Sequence, residues 1–221
     1  MSWLSMLEDR YEGKSPKIIT EELQKALLSA EDEARQAAIN DSIEILCRFA
    51  AGFYPNYFVS CWSMRDVESD LMWRSYTTSA EAVAVQTTFA RLEQSLPPYV
   101  DIGLVRYIDY QTQGFGRMNM FEWPMHKRLQ YAEDREVRVL ANAALLDQLG
   151  GKELRSNLFE GGTSSQSVRV CAPPVNISTL IEAIYLHPSA GSKFTDKAAK
   201  FCHAHRLPEP RLSELAAVGS F

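Results

Sequence analysis

The chain has 221 residues, of which 46% are hydrophobic, and its formal net charge at pH 7 is -5. This length and apolar content suffice for one well-packed domain, so we expect a single domain over residues 1–221. An acidic balance without long runs of like charge argues against nucleic-acid binding through a broad basic surface. No apolar run has the length of a membrane span and the first residues lack a secretory signal pattern, which together predict a cytoplasmic protein without membrane association.

The first quarter of the chain carries a helical pattern. Between Ser15 and Gly52, apolar residues recur at helical spacing in two stripes, one over residues 23–30 and one over residues 43–50. The polar pair Asn40-Asp41 separates the stripes, so we expect the helical region to break there. We therefore predict a mainly helical segment over residues 1–55 and an α+β core over residues 56–221.

A strand followed directly by a short helix comes next. Residues 57–62 are aromatic and β-branched, which is typical of a buried strand. Ser63 or Asp66 can accept hydrogen bonds from the first turn of the following helix. In that helix, residues 69, 72, 73 and 76 share one face, which points inward or into a cleft. Both ordinary core packing and contact with a ligand are consistent with this face.

The remaining segments mix strands and helices without regular alternation. The pattern predicts further strands over residues 82–85, 102–108, 135–140, 167–171 and 184–186, and helices over residues 88–96 and 193–205, with a loop over residues 150–165. We therefore expect an α+β fold with one mixed, mostly antiparallel sheet of about six strands, an N-terminal helical region and a C-terminal helix.

The cysteine and histidine residues give no metal or nucleophile motif. The four cysteines form no CxxC pair, which argues against a structural zinc site and against a disulfide framework. On a helix His203 and His205 diverge by about 200°, so they do not converge on one ion. Cys61 with His126 or His187 would suggest a thiol nucleophile, but a mid-strand thiol among apolar residues is normally inert.

Several motifs stand in a fixed order along the chain. They are Cys61-Trp62-Ser63, Glu68 to Tyr76, Glu81 to Thr88, Val105 to Tyr110, Lys127-Arg128 with Tyr131, Asp134 to Arg138, and Ile184 to Pro188. From about Asp9 to the last helix, this series resembles the bacterial family called domain of unknown function 2971. Ala82 departs from a family glycine, and Asp134 takes the first acidic position of a Glu-x-Glu-x-Arg motif. The resemblance implies a chain that begins after the family's opening segment, and it supplies no established activity.

The chemistry is predicted from the segment around the 135–140 strand. Alternate side chains of an extended strand share a face, so we expect Asp134, Glu136 and Arg138 to point one way. Two carboxylates and a guanidinium can hold a sugar hydroxyl and stabilise positive charge at an anomeric carbon. Cationic side chains can bind phosphates and aromatic rings can stack on a flat ring. This inventory is similar to that of ADP-ribosyltransferase folds.

The resulting hypothesis is an NAD-consuming, ADP-ribosyltransferase-like enzyme of a bacterial defence or toxin system, with no metal. Its catalytic residues are Glu136 and Asp134, and its substrate-binding residues are Trp62, Ser63, Glu68, Trp73, Tyr76, Lys127 and Arg138. One alternative for the acidic strand is a solvated edge with an ion pair between Glu136 and Arg138, worth at most about 1 kcal/mol. The alternative function is a non-catalytic interaction module with a protein partner or a second copy, since an incomplete sheet edge invites pairing.

Overall fold

The computed structural model describes residues 1–4, 7, 9, 11–53, 56–116, 119, 121–143 and 172–219. The chain divides into two compact units. The first consists of Met1–Met64 and Pro98–Ala172, and the second of Arg65–Pro97 and Pro173–Phe221. This division does not test whether the chain folds as one domain, so the single domain stays a prediction.

The described residues contain both helices and strands, which confirms the α+β class. In chain order the elements are β1 (Ser2–Trp3), α1 (Lys17–Leu28), α2 (Glu33–Phe53), β2 (Tyr57–Ser63), α3 (Asp70–Tyr76), β3 (Val83–Gln86), α4 (Phe89–Ser95), β4 (Asp101–Leu104), β5 (Arg106–Ile108), β6 (His126–Arg128), a 3-10 helix (Leu129–Asp134), β7 (Glu136–Asn142), α5 (Ile177–Leu180), β8 (Ala183–Leu186), α6 (Ser192–Ala204), β9 (Arg211–Leu212) and a second 3-10 helix (Glu214–Gly219). Among the described helices, none combines the length and the apolar character that crossing a bilayer requires.

The helical region breaks between α1 and α2, at residues 29–32. The hydroxyl of Ser29 donates to the Lys25 carbonyl at 2.9 Å, and Oδ1 of Asp32 accepts from the Arg35 backbone N–H at 2.7 Å. These short polar side chains satisfy backbone groups that helix ends leave unpaired. The expected break at Asn40-Asp41 is wrong, because those residues continue α2 without interruption.

The first unit is built on a four-stranded sheet with the order β1-β2-β7-β4, in which every neighbouring pair is antiparallel. All seven residues of the central strand β7 are buried. Leu4, Tyr57, Val59 and Leu140 pack into a core on this sheet. Because β2 and β4 flank β7, Glu136 and Arg138 lie in the middle of a sheet and not on a solvated edge.

The strand predicted over residues 102–108 is two strands in different sheets. The Val105 N–H donates to the Glu136 carbonyl at 3.0 Å, whereas the next N–H, of Arg106, donates to the Met125 carbonyl at 2.8 Å. Consequently β4 pairs with β7, and β5 pairs in parallel with β6, a strand that the sequence pattern did not predict.

The second unit has a three-stranded sheet with the order β3-β8-β9. In this sheet β3 pairs with β8 in antiparallel fashion, and β9 pairs with β8 in parallel. The α3 helix is capped by Ser69 and not by Ser63 or Asp66, and the side chain of Thr88 caps α4. Strands therefore fall into separate four-, three- and two-stranded sheets within the described residues, and the expectation of one six-stranded sheet is wrong. The predicted strand 167–171 and loop 150–165 lie outside the described residues.

Candidate functional site

Arg138 lies at the centre of the candidate site, on β7, with no exposed surface. Its Nε donates to Glu136 Oε1 at 2.6 Å, and its Nη2 donates to Glu12 Oε2 at 2.7 Å. Its Nη1 donates to the Pro124 carbonyl. The guanidinium is therefore fixed by three different segments of the first unit.

Lys127, on β6, joins the same carboxylates from the other side. Its Nζ lies 3.4 Å from Glu136 Oε2 and 3.6 Å from Glu12 Oε1, and it donates to Asp134 Oδ2 at 2.8 Å. Each of the two carboxylates, Glu12 and Glu136, thus contacts Arg138 with one oxygen and Lys127 with the other. We call this group the charge cluster: Glu12, Lys127, Asp134, Glu136 and Arg138.

The turn between β6 and β7 brings Asp134 into the charge cluster. The 3-10 helix ends at Asp134, and Arg135 follows with a positive φ of 47°, so Asp134 is not part of β7. The Met64 N–H donates to the Arg135 carbonyl at 2.8 Å, and the Glu136 N–H donates to the Tyr107 hydroxyl at 2.8 Å. The expectation that Asp134 shares a strand face is therefore wrong, although its carboxylate does reach the cluster through Lys127.

Two cations and three carboxylates give the charge cluster a net charge of -1 when all five groups are ionised. Burial disfavours the Glu136 carboxylate, but the Arg138 charge and hydrogen bond outweigh this effect and hold the pKa of Glu136 below its ordinary value. Burial dominates at Glu12 and raises its pKa despite Arg138. Burial also opposes the Lys127 ammonium, yet the bond to Asp134 and the neighbouring carboxylates raise the pKa of Lys127.

Because these groups are buried, the alternative of a solvated edge is wrong. The ion pair between Glu136 and Arg138 is present, but the two side chains are 4% and 0% exposed. Two ionised groups in such a place lose their hydration, so only their mutual contacts make the arrangement tolerable. Asp134, whose side chain is 40% exposed, connects the cluster to solvent.

Trp62 and Ser63 belong to β2, beside the charge cluster. Ser63 lies opposite Glu136, and its hydroxyl donates to the Asp134 carbonyl at 3.2 Å. Trp62 lies opposite Val137, so its side chain is on the face of the sheet away from Glu136. The structure therefore brings Ser63, Lys127, Asp134, Glu136 and Arg138 together, and it places Trp62 on the other face.

The other expected substrate-binding residues belong to the second unit. Glu68 Oε2 accepts from the Ser213 hydroxyl at 2.8 Å and from the Glu214 N–H at 2.7 Å. Trp73 is buried, with its ring edge-on to the His187 ring at 5.2 Å. Tyr76 is 72% exposed, so the expectation of an inward-facing surface holds at Trp73 and fails at Tyr76.

Sequence reasoning missed Glu12 and the Pro124 carbonyl, both of which contact Arg138. The segment around Glu12 reads only as a polar turn, and no residue spacing links it to β7. Cys61, which the sequence analysis rejected as a nucleophile, lies directly opposite Arg138 in the pairing of β2 with β7. Burial raises the pKa of the Cys61 thiol to about 12, in agreement with an inert thiol that donates to Glu136.

Within the described ranges, no group of three or more His, Cys, Asp and Glu side chains is placed to hold a metal ion. Comparison of the chain with protein-family models, with curated proteins and with solved structures finds no match. The resemblance to domain of unknown function 2971 therefore stays a prediction, and the function is argued from the geometry of the charge cluster.

Proposed function

We propose that this chain binds NAD beside the charge cluster and catalyses transfer or hydrolysis of its ADP-ribosyl group. The observation that carries the proposal is the buried Glu136 carboxylate, which Arg138 holds ionised beside the partly exposed Asp134. Fixed negative charge in a water-poor site favours a transition state in which positive charge develops. Breaking the bond between nicotinamide and ribose generates such charge on the anomeric carbon.

In this proposal Glu136 holds a ribose hydroxyl and stabilises the oxocarbenium-like transition state, and Asp134 assists from the exposed side of the cluster. Nicotinamide leaves with the electron pair of the glycosidic bond, and water or an acceptor side chain supplies the new bond to the ribose. Lys127 contacts both carboxylates, at 2.8 Å from Asp134 and 3.4 Å from Glu136, and orients them. Arg138 has no exposed atoms for a phosphate, so its role is to position Glu136.

The accessible side of the cluster supports a ligand with planar and anionic groups. The Tyr131 ring lies 4.8 Å from the Lys127 ammonium, and the Arg128 guanidinium lies 4.7 Å from the Tyr11 ring. Arg128 is 30% exposed at its side chain, and it is anchored to Asp9. The proposal uses only residues of the first unit.

The test compares NAD turnover and binding in the wild type and in matched variants. Nicotinamide release is followed by chromatography and NAD binding by ligand-observed NMR. We expect Glu136→Gln to reduce release about 10²- to 10³-fold and Asp134→Asn to reduce it less. Glu133→Gln, an exposed change on the same 3-10 helix, serves as the control and should leave turnover unchanged.

Circular dichroism of each variant separates loss of chemistry from loss of fold. If Glu136→Gln does not fold, Asp134→Asn carries the test, because Asp134 is partly exposed and an amide oxygen can still accept from Lys127. Absence of both NAD binding and nicotinamide release in the folded wild type would overturn the proposal.

The setting that we propose is the bacterial cytoplasm, in a defence or toxin system. The sequence resemblance supports the bacterial defence or toxin system, and the cytoplasmic location rests on the sequence pattern.

A second candidate function is a non-catalytic interaction module. Within the described residues, β3 pairs with β8 alone. Val83 and Val85 share a sheet face with the buried Leu186 and Ile184, yet they remain 49% and 38% exposed. An uncharged strand with an open edge and exposed valines is suited to pairing with an added strand.

The solution mass tests this second candidate. A stable dimer that Val85→Lys converts to monomer supports the module, because charge on an edge strand opposes pairing. A wild type that stays monomeric at high concentration and binds no partner strand contradicts it.

A further inference from the structure

The α6 helix presents a row of lysines to solvent. Lys193, Lys197 and Lys200 follow one another at spacings of four and three residues, so they lie on one face along about 10 Å of the helix. All three side chains are exposed, and within the described ranges none of them forms an ion pair. The helix contains a single acidic residue, Asp196. The lysine row, Lys193, Lys197 and Lys200, therefore keeps a net positive charge on a chain whose own net charge is negative.

Arg206 adds a further exposed cation just beyond the end of α6. The Arg206 N–H donates to the His203 carbonyl at 3.2 Å, and the Leu207 N–H donates to the Cys202 carbonyl at 2.9 Å. These two bonds form a Schellman motif, in which the residue at this position is left-handed and is most often glycine. Arg206 has a φ of 55°, which strains a residue with a side chain. A cation thus stands where the backbone favours glycine.

An exposed aromatic pair borders the lysine row. Phe201 is 59% exposed, and its ring lies 4.3 Å from the His205 ring at an interplanar angle of 40°. Phe201 directly follows Lys200 and stands four residues after Lys197, so its ring lies beside the row. The packed side of the same helix contains the buried Cys202. Phe201 is therefore a ring that is open to a ligand next to several cations.

A cavity of about 470 Å³ adjoins the lysine row on the flank away from Phe201. It is lined by Ala199, Lys200, His203, Leu207 and Glu209. Leu207 reaches this position because the Schellman motif turns the chain back against the helix. The volume lies within the range of small-molecule sites. Lys200 thus stands between an exposed ring on one side and a cavity on the other.

We propose that α6 and Arg206 form a binding surface for single-stranded nucleic acid, in which the lysine row and Arg206 contact phosphates and Phe201 stacks on a base. A cationic track beside exposed aromatic rings is how proteins bind single strands without sequence preference. In a duplex the bases are stacked on one another, so their faces are closed to Phe201. The lysine row is local, unlike the broad basic surface that the net charge argues against. This proposal goes beyond the proposed function and does not rest on it.

The surface of α6 favours this partner over an anionic membrane. A helix that lies in a membrane interface turns a wide apolar face outward. In α6, by contrast, Phe194 and Ala198 are partly buried and Cys202 is buried. Of its two phenylalanines only Phe201 is exposed. One exposed ring suits stacking on a base better than insertion among lipids.

The first test measures binding of a fluorescein-labelled thymidine oligonucleotide of about 12 nucleotides to the full chain by fluorescence anisotropy. We expect a Kd of about 10⁻⁴ to 10⁻⁶ M at physiological salt, with binding that weakens as salt rises. The combined change Lys193→Gln, Lys197→Gln and Lys200→Gln should weaken binding at least about tenfold. It should also lower the slope of log K against log salt by about 2, since each phosphate contact on a single strand contributes about 0.7.

A matched control makes the same change in net charge elsewhere. Lys14, Lys17 and Lys25 are exposed residues of the first unit. Their combined change to glutamine should leave both the affinity and the salt slope unchanged. The comparison separates a binding surface from a general effect of charge.

Two single substitutions separate stacking and charge from stability. Phe201→Ala removes a ring and no charge, so it should weaken binding about fivefold or more and leave the salt slope unchanged. Arg206→Gly removes a charge and relieves the left-handed strain, so it should weaken binding while the Tm rises. If the triple lysine variant does not fold by circular dichroism, Arg206→Gly carries the test.

Absence of oligonucleotide binding at low salt in the folded wild type would overturn the proposal. Equal losses for the lysine-row variant and its control would overturn it as well, because net charge alone would then attract the oligonucleotide. An unchanged affinity in Phe201→Ala, or equal binding of a duplex of the same length, contradicts stacking on Phe201. Tighter binding to phosphatidylserine vesicles than to the oligonucleotide would assign the surface to a membrane instead.

Discussion

Arg138 Nη2 lies 2.7 Å from Glu12 Oε2, although 126 positions separate the two residues in the chain. Both side chains are buried, and the contact ties the segment after β1 to the central strand β7. A guanidinium presents several donors in a fixed plane, so it can hold Glu12, Glu136 and the Pro124 carbonyl at once. The charge cluster is therefore both a cross-link of the first unit and its candidate chemistry.

Arg138→Leu should destabilise the protein by about 3–5 kcal/mol, because it leaves Glu12 and Glu136 buried without their guanidinium. Urea unfolding gives the free energy of unfolding. Arg48→Leu is the matched control, since Arg48 is exposed and pairs with the exposed Glu44 one helical turn away, and it should cost less than about 0.5 kcal/mol. Equal losses for the two variants would show that the cluster does not stabilise the fold.

Glu136→Gln should alter the acid side of the stability profile. The pKa of Glu136 lies below its ordinary value of 4.5, with burial opposed by Arg138 and the Cys61 and Lys127 contacts. Stability from its ionised form is complete above about pH 4.5 and is lost as pH falls through the folded-state pKa. The stability gap between the wild type and Glu136→Gln should therefore narrow as pH falls below 4.5. A gap that stays constant from pH 3 to pH 7 contradicts this prediction.

Glu12→Gln should show the opposite trend, although Glu12 bonds the same guanidinium. Burial raises the pKa of Glu12, so the folded state holds a proton that the unfolded chain has released. The free energy of unfolding then falls as pH rises from about 4.5 through the folded-state pKa. Denaturation at several pH values should show Glu12→Gln closest to the wild type at neutral pH and further below it in acid. The reverse order would mean that the ion pair outweighs burial at Glu12.

Local patterns predicted those elements whose signals are local. Alternating β-branched and aromatic residues identified β2 and β8, and the helical pattern over residues 88–96 identified α4. The split at Val105 was missed because neighbouring amides bond to different strands while the apolar pattern continues unchanged. At the site, the spacing of Glu136 and Arg138 indicated their contact. Glu12 could not be found in this way, because a contact across 126 positions depends on packing that no local spacing encodes.

Thiol labelling should distinguish Cys61 from Cys47. Burial raises the pKa of Cys61 to about 12, so at pH 8 very little of its thiol is ionised. Cys47 is exposed on α2 and should react first with iodoacetamide, as peptide mass mapping can show. In denaturant the two thiols should react at similar rates. Rapid labelling of Cys61 in the folded protein would mean that its thiol is more accessible and more acidic than its surroundings allow.

Asp32→Ala should destabilise the protein by about 1 kcal/mol, because Oδ1 of Asp32 accepts from the Arg35 N–H at the start of α2. Asp41→Ala is the matched control: Asp41 lies within α2 and is exposed, and alanine is the better helix former there. It should leave the free energy of unfolding unchanged or raise it by about 0.5 kcal/mol. Urea unfolding followed by far-ultraviolet circular dichroism measures both. A larger loss for Asp41→Ala than for Asp32→Ala would place the helix break at Asn40-Asp41 in solution, where the sequence pattern first indicated it.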